Sequence, residues 1–169
     1  YALLLQQAEE EGLRNIKLLT SIKTIPAVME YILSTEEIDG FICPGHVCSV
    51  TGSGVFDELC GRYNKPFVVA GFSAEHILCA VYEIVRQAEK GIAGVKNFYP
   101  AVVTPEGNIK AKDLLNKFFE PADALWRGIG WIKGSGLVLR SEYRKYDIGS
   151  SVAEQEEMPA GCSCGDVIL

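Results

Sequence analysis

The 169-residue sequence has little positive charge and no long apolar run. Lys and Arg number 16 against 22 Asp and Glu, which gives a net charge of −6, and no basic segment is interleaved with aromatic residues, so a nucleic-acid-binding surface is not expected. The apolar runs are short pieces such as Pro66–Gly71, far below the roughly 20 residues of a membrane span. No secretory signal pattern is visible. These absences predict a cytoplasmic protein that contacts neither nucleic acid nor membrane.

Histidine is also scarce, with two residues, whereas cysteine is frequent, with six. The chain is neither small nor marked for secretion, so we interpret the cysteines as reduced rather than as a disulfide framework. With 48% hydrophobic and 22% charged residues, the chain has enough apolar side chains for a real core. It opens on Tyr1 rather than Met and closes on GCSCGDVIL. We therefore expect a fragment of a longer protein that lacks an N-terminal part and a C-terminal tail.

Short apolar runs alternate with helical apolar periods along the first 120 residues. The runs predict strands, and the periods predict helices between them. A strand followed by a helix, repeated about four times with short connections, is typical of a parallel sheet covered by helices. We therefore predict an α/β fold with a mostly parallel, Rossmann-like sheet and flanking helices. The predicted strands are 16–19, 39–43, 67–70 and 96–103.

Five helices are predicted around these strands, over 2–11 and around 25–33, 55–63, 74–88 and 111–118. Ser73 is a suitable N-cap for the fourth of them. In that helix, apolar residues recur at helical spacing, and this stripe is predicted to face the core. Its members are Ile77, Val81, Ile84, Val85 and Ala88.

The pattern changes after Phe119. Two further strands are predicted, at 124–132 and 137–140, with glycine turns at Gly128, Gly130, Gly134 and Gly136. An acidic, linker-like stretch covers 150–159. We therefore predict an α/β domain at 1–121, followed at 122–169 by a partial glycine-rich strand region of returning strands and a linker.

The segment FICPGHVCSVTGSG, residues 41–54, concentrates two cysteines, a histidine and three glycines. Cys43 is predicted at the carboxyl end of a strand and 44–53 as the loop that follows it, which is where parallel sheets bind ligands. The positive end of the next helix is expected to lower the pKa of a thiol there. His46 offers an imidazole for proton transfer or metal ligation. His46, Cys43 and Cys48 are therefore the candidate catalytic residues.

The same residues also fit an unremarkable structural role, because cysteines at strand ends usually pack and loop histidines are usually solvated. The spacing C-x-x-H-x-C names no reaction and matches no structural zinc pattern. His76 is expected at the same sheet edge, either as a supporting group or as a surface residue. Cys60 lies on an apolar stripe and is expected in the core, and packing is also favoured for Cys79.

Cys162 and Cys164 differ from the other cysteines. Two residues apart, they are poorly placed to bridge each other, but an i, i+2 thiol pair suits a metal or iron–sulfur cluster that has further ligands elsewhere. They are the candidate metal ligands.

Several segments, in order along the chain, resemble the HypD family of hydrogenase maturation proteins. The resemblance covers essentially the whole chain, and its most specific motifs are PGHV at 44–47, PEGN at 105–108 and the tryptophan–glycine blocks that follow. The matching segments are DGFICPGHVCSVTG, KPFVVAGF, VVTPEGN, EPADALWRGIG, IKGSGLVLR and CSCGDVIL.

The resemblance implies an accessory scaffold for [NiFe]-hydrogenase maturation that assembles the Fe(CN)2CO group. It also implies a small HypC-like chaperone and a HypE-like cyanide donor as partners, and an indirect relation to the hydrogenase large-subunit precursor. The family carries a [4Fe-4S] cluster on C-terminal cysteines, so residues 122–169 would lead toward a truncated iron–sulfur region. Pro44, Gly45 and Val47, with His46, correspond to the family's cleft-lining motif and are the candidate cofactor-binding positions.

The sequence also departs from the family pattern. Cys48 stands where serine is usual, Gly71-Phe72-Ser73 where GFE is usual, and Asn97-Phe98-Tyr99 where NQY is usual; the CGTH and CPVC motifs do not occur. Two other functions stay open on the residues alone. One is a cysteine-dependent transferase or hydrolase with Cys43 or Cys48 as nucleophile and His46 as base. The other is a non-catalytic α/β module that binds a small molecule.

Overall fold

The computed structural model describes residues 1–149. The predictions for the acidic linker at 150–159 and for Cys162 and Cys164 lie outside the described residues. The helices are α1 (Ala2–Glu11), α2 (Ile25–Thr35), α3 (Gly45–Thr51), α4 (Asp57–Tyr63), α5 (Ala74–Glu89) and α6 (Ile109–Phe118). The strands are β1 (Ile22–Lys23), β2 (Phe41–Pro44), β3 (Phe67–Ala70), β4 (Val95–Asn97), β5 (Phe119–Trp126) and β6 (Gly130–Leu139), and short 3₁₀ helices cover Gly54–Phe56 and Ser141–Tyr146.

The residues form two compact units. Among the described residues, one unit is Ile32–Asp113, and the other joins Tyr1–Tyr31 to residues 114–149. This division differs from the predicted boundary after residue 121. The reason is that β1 pairs antiparallel with β6, with Ile22 opposite Leu137, so the N-terminal residues share a sheet with the returning strands.

The unit Ile32–Asp113 contains a parallel sheet of order β2-β3-β4 with flanking helices. The central strand β3 is apolar throughout and buried at all four positions, as expected for a parallel strand that is covered on both faces. On one side, Phe67 stacks on Phe41 and on Phe56, with ring centroids 5.1 and 5.5 Å apart. The predicted α/β class with a parallel sheet and flanking helices is confirmed.

The other unit contains an antiparallel sheet of order β1-β6-β5. Strands β5 and β6 form a hairpin, with Phe119 opposite Leu139 at its base and Trp126 opposite Gly130 next to the turn. The hairpin's inner face packs on α1 in a core that contains Leu5, Ala8 and Phe118. Two returning strands were predicted, but their bounds differ from the structure. The predicted strand 124–132 covers the end of β5, the turn and the start of β6, and the predicted strand 137–140 covers only the end of β6.

Two predicted strands differ from the structure. The run 16–19 forms only an isolated parallel bridge between Leu18 and Asp147, and the strand nearby is β1. The strand predicted over 96–103 is β4, which ends at Asn97. The described sheet therefore contains three parallel strands rather than four.

Helix α5 is oriented differently from the prediction. Most of its predicted apolar stripe faces solvent, with Ile77 40%, Val81 45% and Val85 49% exposed. Ile84 is the exception in that stripe, because it packs against the core cluster of β3 and α5 as predicted. The face against the sheet instead buries Ala80, Glu83 and Gln87. Burial of Glu83 is possible because Arg86 and Gln87 donate three hydrogen bonds of 2.6 to 2.9 Å to its carboxylate, which satisfies a charge that would be costly alone.

Candidate functional site

The predicted loop after β2 is a helix at residues 45–51. Strand β2 ends at Pro44, which is extended (φ −70°, ψ 117°), and α3 starts at the next residue. Gly52 ends α3 with φ 86° and ψ 161°, a conformation that is open essentially to glycine alone. The candidate residues therefore sit on the last residues of a strand and the first turns of a short helix, where their positions are fixed by main-chain hydrogen bonds.

Both candidate thiols are sealed inside this unit. Cys43 and Cys48 are each 0% exposed, and Cys43 lies opposite Val69 in the parallel register. Burial raises the pKa of the Cys48 thiol to about 11. Burial, with a smaller effect from the neighbouring Cys48, also raises the pKa of Cys43. The prediction of a lowered thiol pKa is wrong, because loss of hydration disfavours the thiolate more than the start of a helix favours it.

His46 is exposed, in contrast to the two thiols. Its imidazole lies beside the ring of Phe72, with centroids 5.1 Å apart, and Phe72 is itself 72% exposed. Phe72 follows the end of β3, so the carboxyl ends of two adjacent strands contribute to this contact. Of the three candidate catalytic residues, His46 is therefore the one whose side chain is exposed to solvent.

His76 lies at the same sheet edge, as predicted. Ser73 caps α5 by accepting a 3.3 Å hydrogen bond from the His76 main-chain N–H. The His76 ring meets Tyr99 edge-on, with centroids 5.3 Å apart. A Cβ on Gly71 would overlap Nδ1 of His76, so the glycine before the cap makes room for this imidazole.

Tyr99 is a site residue that sequence reasoning missed. It follows β4, and its main-chain N–H donates a 2.8 Å hydrogen bond to the side chain of Asn97, which in turn donates to the carbonyl of Val103 at 2.8 Å. A Cβ on Gly45 would lie 2.6 Å from Cδ1 of Tyr99 and 2.8 Å from the carbonyl oxygen of Ala70. The start of α3 can therefore approach Tyr99 this closely only with glycine at 45.

The segment PEGN was another missed part of this edge. Ser53 and Gly54 donate main-chain hydrogen bonds of 3.1 and 3.0 Å to Thr104 and Pro105. Asn108 returns one of 3.0 Å to Val50. PEGN therefore holds the end of α3 in place, and the paired glycines in TGSG and PEGN were the signal that could have revealed it.

Among residues 1–149, no group of three or more His, Cys, Asp or Glu side chains is arranged to hold a metal ion. The described residues therefore do not fit a [4Fe-4S] cluster. Of the remaining cysteines, Cys60 is buried as predicted, whereas Cys79, for which packing was favoured, is exposed. No helix in this described part of the chain is long and apolar enough to cross a membrane.

Comparison with known proteins matches residues 1–169 to HypD, the hydrogenase formation hypA family. The chain belongs to the HypD family. A hydrogenase expression/formation protein of Methanocaldococcus jannaschii is 38% identical over 164 residues, which cover 95% of this chain and 46% of the relative. The hydrogenase maturation factor HypD of Rhodobacter capsulatus is 37% identical over 177 residues, which cover 99% of this chain and 47% of the relative. The hydrogenase maturation factor HypD of Azotobacter vinelandii is 37% identical over 154 residues, which cover 86% of this chain and 41% of the relative.

The chain spans about half the length of the HypD relatives it matches. Membership of the HypD family supports a role in hydrogenase maturation. The family's PGHV motif is the start of α3, and its PEGN motif is the segment bonded to the other end of that helix. Two HypD motifs that are separated in the sequence therefore meet at α3, the short helix that carries His46.

Proposed function

We propose that this chain is part of an accessory scaffold that assembles the Fe(CN)2CO group for [NiFe]-hydrogenase. The observation that carries the proposal is the family match over residues 1–169. The proposed working edge is the carboxyl end of the parallel sheet, where His46 is exposed beside Phe72. In this proposal the iron group is the substrate, and it is held transiently rather than kept as a resident metal.

His46 is the residue that we assign to the substrate. Its imidazole can ligate iron or exchange a proton with a bound ligand, and it does either without moving out of a packed core. Pro44, Gly45 and Val47 are assigned to its positioning, because they are the strand end and first helical residues that place the ring. Cys43 and Cys48 are assigned to the support of this edge, since both thiols are buried.

The partners belong to the same proposal. A HypC-like chaperone and a HypE-like cyanide donor would dock to the whole protein in the cytoplasm, and the product would pass to the hydrogenase large-subunit precursor. The [4Fe-4S] cluster is likewise assigned to the whole protein, with Cys162 and Cys164 as candidate ligands. The half of the relatives' length that this chain does not span leaves room for further ligands.

The buried thiols argue against a cysteine-dependent transferase or hydrolase. A nucleophilic cysteine reacts as an accessible thiolate, whereas Cys43 and Cys48 are inaccessible and have raised pKa values. A purely binding α/β module is less well supported, because the matching family and its relatives are named for hydrogenase formation and maturation.

Deletion of the gene that carries this sequence tests the proposal. We expect loss of [NiFe]-hydrogenase activity and accumulation of the large-subunit precursor, both reversed when the gene is returned on a plasmid. Normal activity and normal precursor processing in the deletion strain, with no second gene of the family present, would contradict the proposal.

A further inference from the structure

A basic cavity lies in the unit that contains the antiparallel sheet, not in the unit that contains the parallel sheet. It has a volume of about 300 Å³ and is lined by Arg14, Lys17, Lys145 and Tyr146. Three of the four described residues that line it are cations, in a chain whose net charge is −6. Neither the family match nor the proposed function assigns a role to these residues.

The walls of the cavity are fixed by the main chain. Leu18 donates a 2.7 Å hydrogen bond to the carbonyl of Tyr146, and Ile148 donates one of 2.9 Å to the carbonyl of Leu18. Leu18 and Tyr146 are both buried. The residues after α1 and the last turn of the 3₁₀ helix Ser141–Tyr146 are therefore held side by side, which keeps the cations of both segments around one space.

The charges in the cavity are only partly compensated. Lys145 forms an ion pair with Glu9 at 2.6 Å, and Tyr146 donates its hydroxyl to the same carboxylate at 2.6 Å. Lys17 donates a hydrogen bond to the main-chain carbonyl of Lys145. Because a carbonyl carries no net charge, this bond does not neutralise the ammonium group of Lys17. Within residues 1–149, the guanidinium of Arg14 makes no ion pair or hydrogen bond. Among residues 1–149, three cations against one carboxylate leave a local charge of +2.

We propose that this cavity binds the phosphate group of a small molecule. Guanidinium and ammonium groups donate several charge-assisted hydrogen bonds to the oxygens of a tetrahedral dianion. The local charge matches that of a phosphate monoester, and the volume leaves room for a small organic portion beside the phosphate. The site is separate from the candidate edge that carries His46 and does not depend on the proposed function.

Titration of the ¹⁵N-labelled 169-residue chain with inorganic phosphate, at constant ionic strength set by chloride, tests the proposal by NMR. We expect saturable shifts confined to residues near 14–18 and 144–148. Arg14→Gln and Lys17→Gln should each weaken binding by about tenfold, as expected for loss of one charged donor. Arg127→Gln, which removes an exposed cation from the turn between β5 and β6, is the matched control and should bind as the wild type does.

Three results would overturn the site. They are shifts that do not saturate, equal weakening in the Arg127→Gln control, and unchanged affinity in both cavity variants. A parallel titration with succinate separates phosphate from carboxylate recognition. Binding of succinate as tight as that of phosphate would contradict the phosphate assignment, whereas weaker binding of succinate supports it.

Discussion

Gly52 and Gly107 meet main chain to main chain at the end of α3. A Cβ on Gly52 would lie 2.7 Å from the main-chain nitrogen of Gly107, and a Cβ on Gly107 would lie 2.6 Å from the carbonyl carbon of Thr51. Both glycines also have positive φ, 86° and 70°. The contact joins the TGSG and PEGN segments, so it fixes the helix that carries His46.

Gly107→Ala should therefore destabilise the protein more than its backbone conformation alone requires. Gly12, with φ 67° and no atom within 4 Å of a Cβ, is the matched control. We expect Gly12→Ala to lower the free energy of unfolding by about 1 kcal/mol, the cost of a left-handed alanine. Overlap adds roughly 1–3 kcal/mol, so Gly107→Ala should cost about 3 kcal/mol in urea unfolding. Equal losses in the two variants would contradict the close contact.

Gly71→Ala should displace the imidazole of His76, because the added methyl group overlaps Nδ1. The ring then loses its edge-on contact with Tyr99, and we expect changed proton shifts for the His76 and Tyr99 rings with the fold retained. Gly61→Ala is the control, since it has open space around it in α4. That variant should leave both rings unchanged and raise stability by up to about 1 kcal/mol, the helix preference of alanine over glycine. Unchanged His76 and Tyr99 shifts in Gly71→Ala would count against the packing.

Native-state alkylation should separate Cys79 from the buried cysteines. Cys79 is exposed, whereas Cys43 and Cys48 are buried. With the pKa of Cys48 raised to about 11, its thiolate fraction at pH 8 is about a hundredfold below that of an ordinary cysteine. Iodoacetamide labelling, measured residue by residue by mass spectrometry, should therefore modify Cys79 before Cys43 and Cys48. Modification of Cys43 or Cys48 at the rate of Cys79 would restore the cysteine-dependent alternative.

Glu83 should make folding sensitive to acid. Its hydrogen bonds from Arg86, and less strongly from Gln87, lower the pKa of the carboxyl group to about 2 from its ordinary value of about 4.5. A lowered folded-state pKa stabilises the native state above the unfolded pKa, and this contribution is lost as pH falls from about 4.5 toward 2.

The measurement is the free energy of unfolding of the wild type and Glu83→Gln between pH 2 and 7. The wild type should be the more stable of the two near neutrality, and the difference should shrink below pH 4.5. Glu89→Gln removes one carboxylate from the exposed end of the same helix and is the matched control. A difference that stays constant over this range would show that the Glu83 charge does not stabilise the fold.

Strands β2 and β3 of the parallel sheet were predictable because both are compact apolar runs, whereas β4, with the sequence VKN, is not. Phe67–Ala70 has no polar residue, and its parallel pairing with β2 follows from the βα order along the chain. The pairing of β1 with β6 was not predictable, since two residues carry no periodic signal and their partner lies more than a hundred residues away.

The orientation of α5 could not be predicted from the sequence, for a physical reason. Helical spacing identifies an apolar face but not which side the sheet occupies, and hydrogen bonds within the helix let Glu83 and Gln87 take the inner positions. The candidate site was likewise predicted only in part. Sequence placed His46 and His76 at one edge, but burial of the thiols depends on the packing of α3 and β2, which spacing does not encode.

The central claim is that the imidazole of His46, rather than a thiol, is the working group of this edge. Its most direct test compares hydrogenase activity restored to the deletion strain by His46→Ala and by Cys48→Ser. Neither change removes a large packed side chain, and equal protein levels on an immunoblot control for folding. We predict activity near background with His46→Ala and most of the wild-type activity with Cys48→Ser. Full activity with His46→Ala, together with loss of activity in Cys48→Ser, would contradict the account.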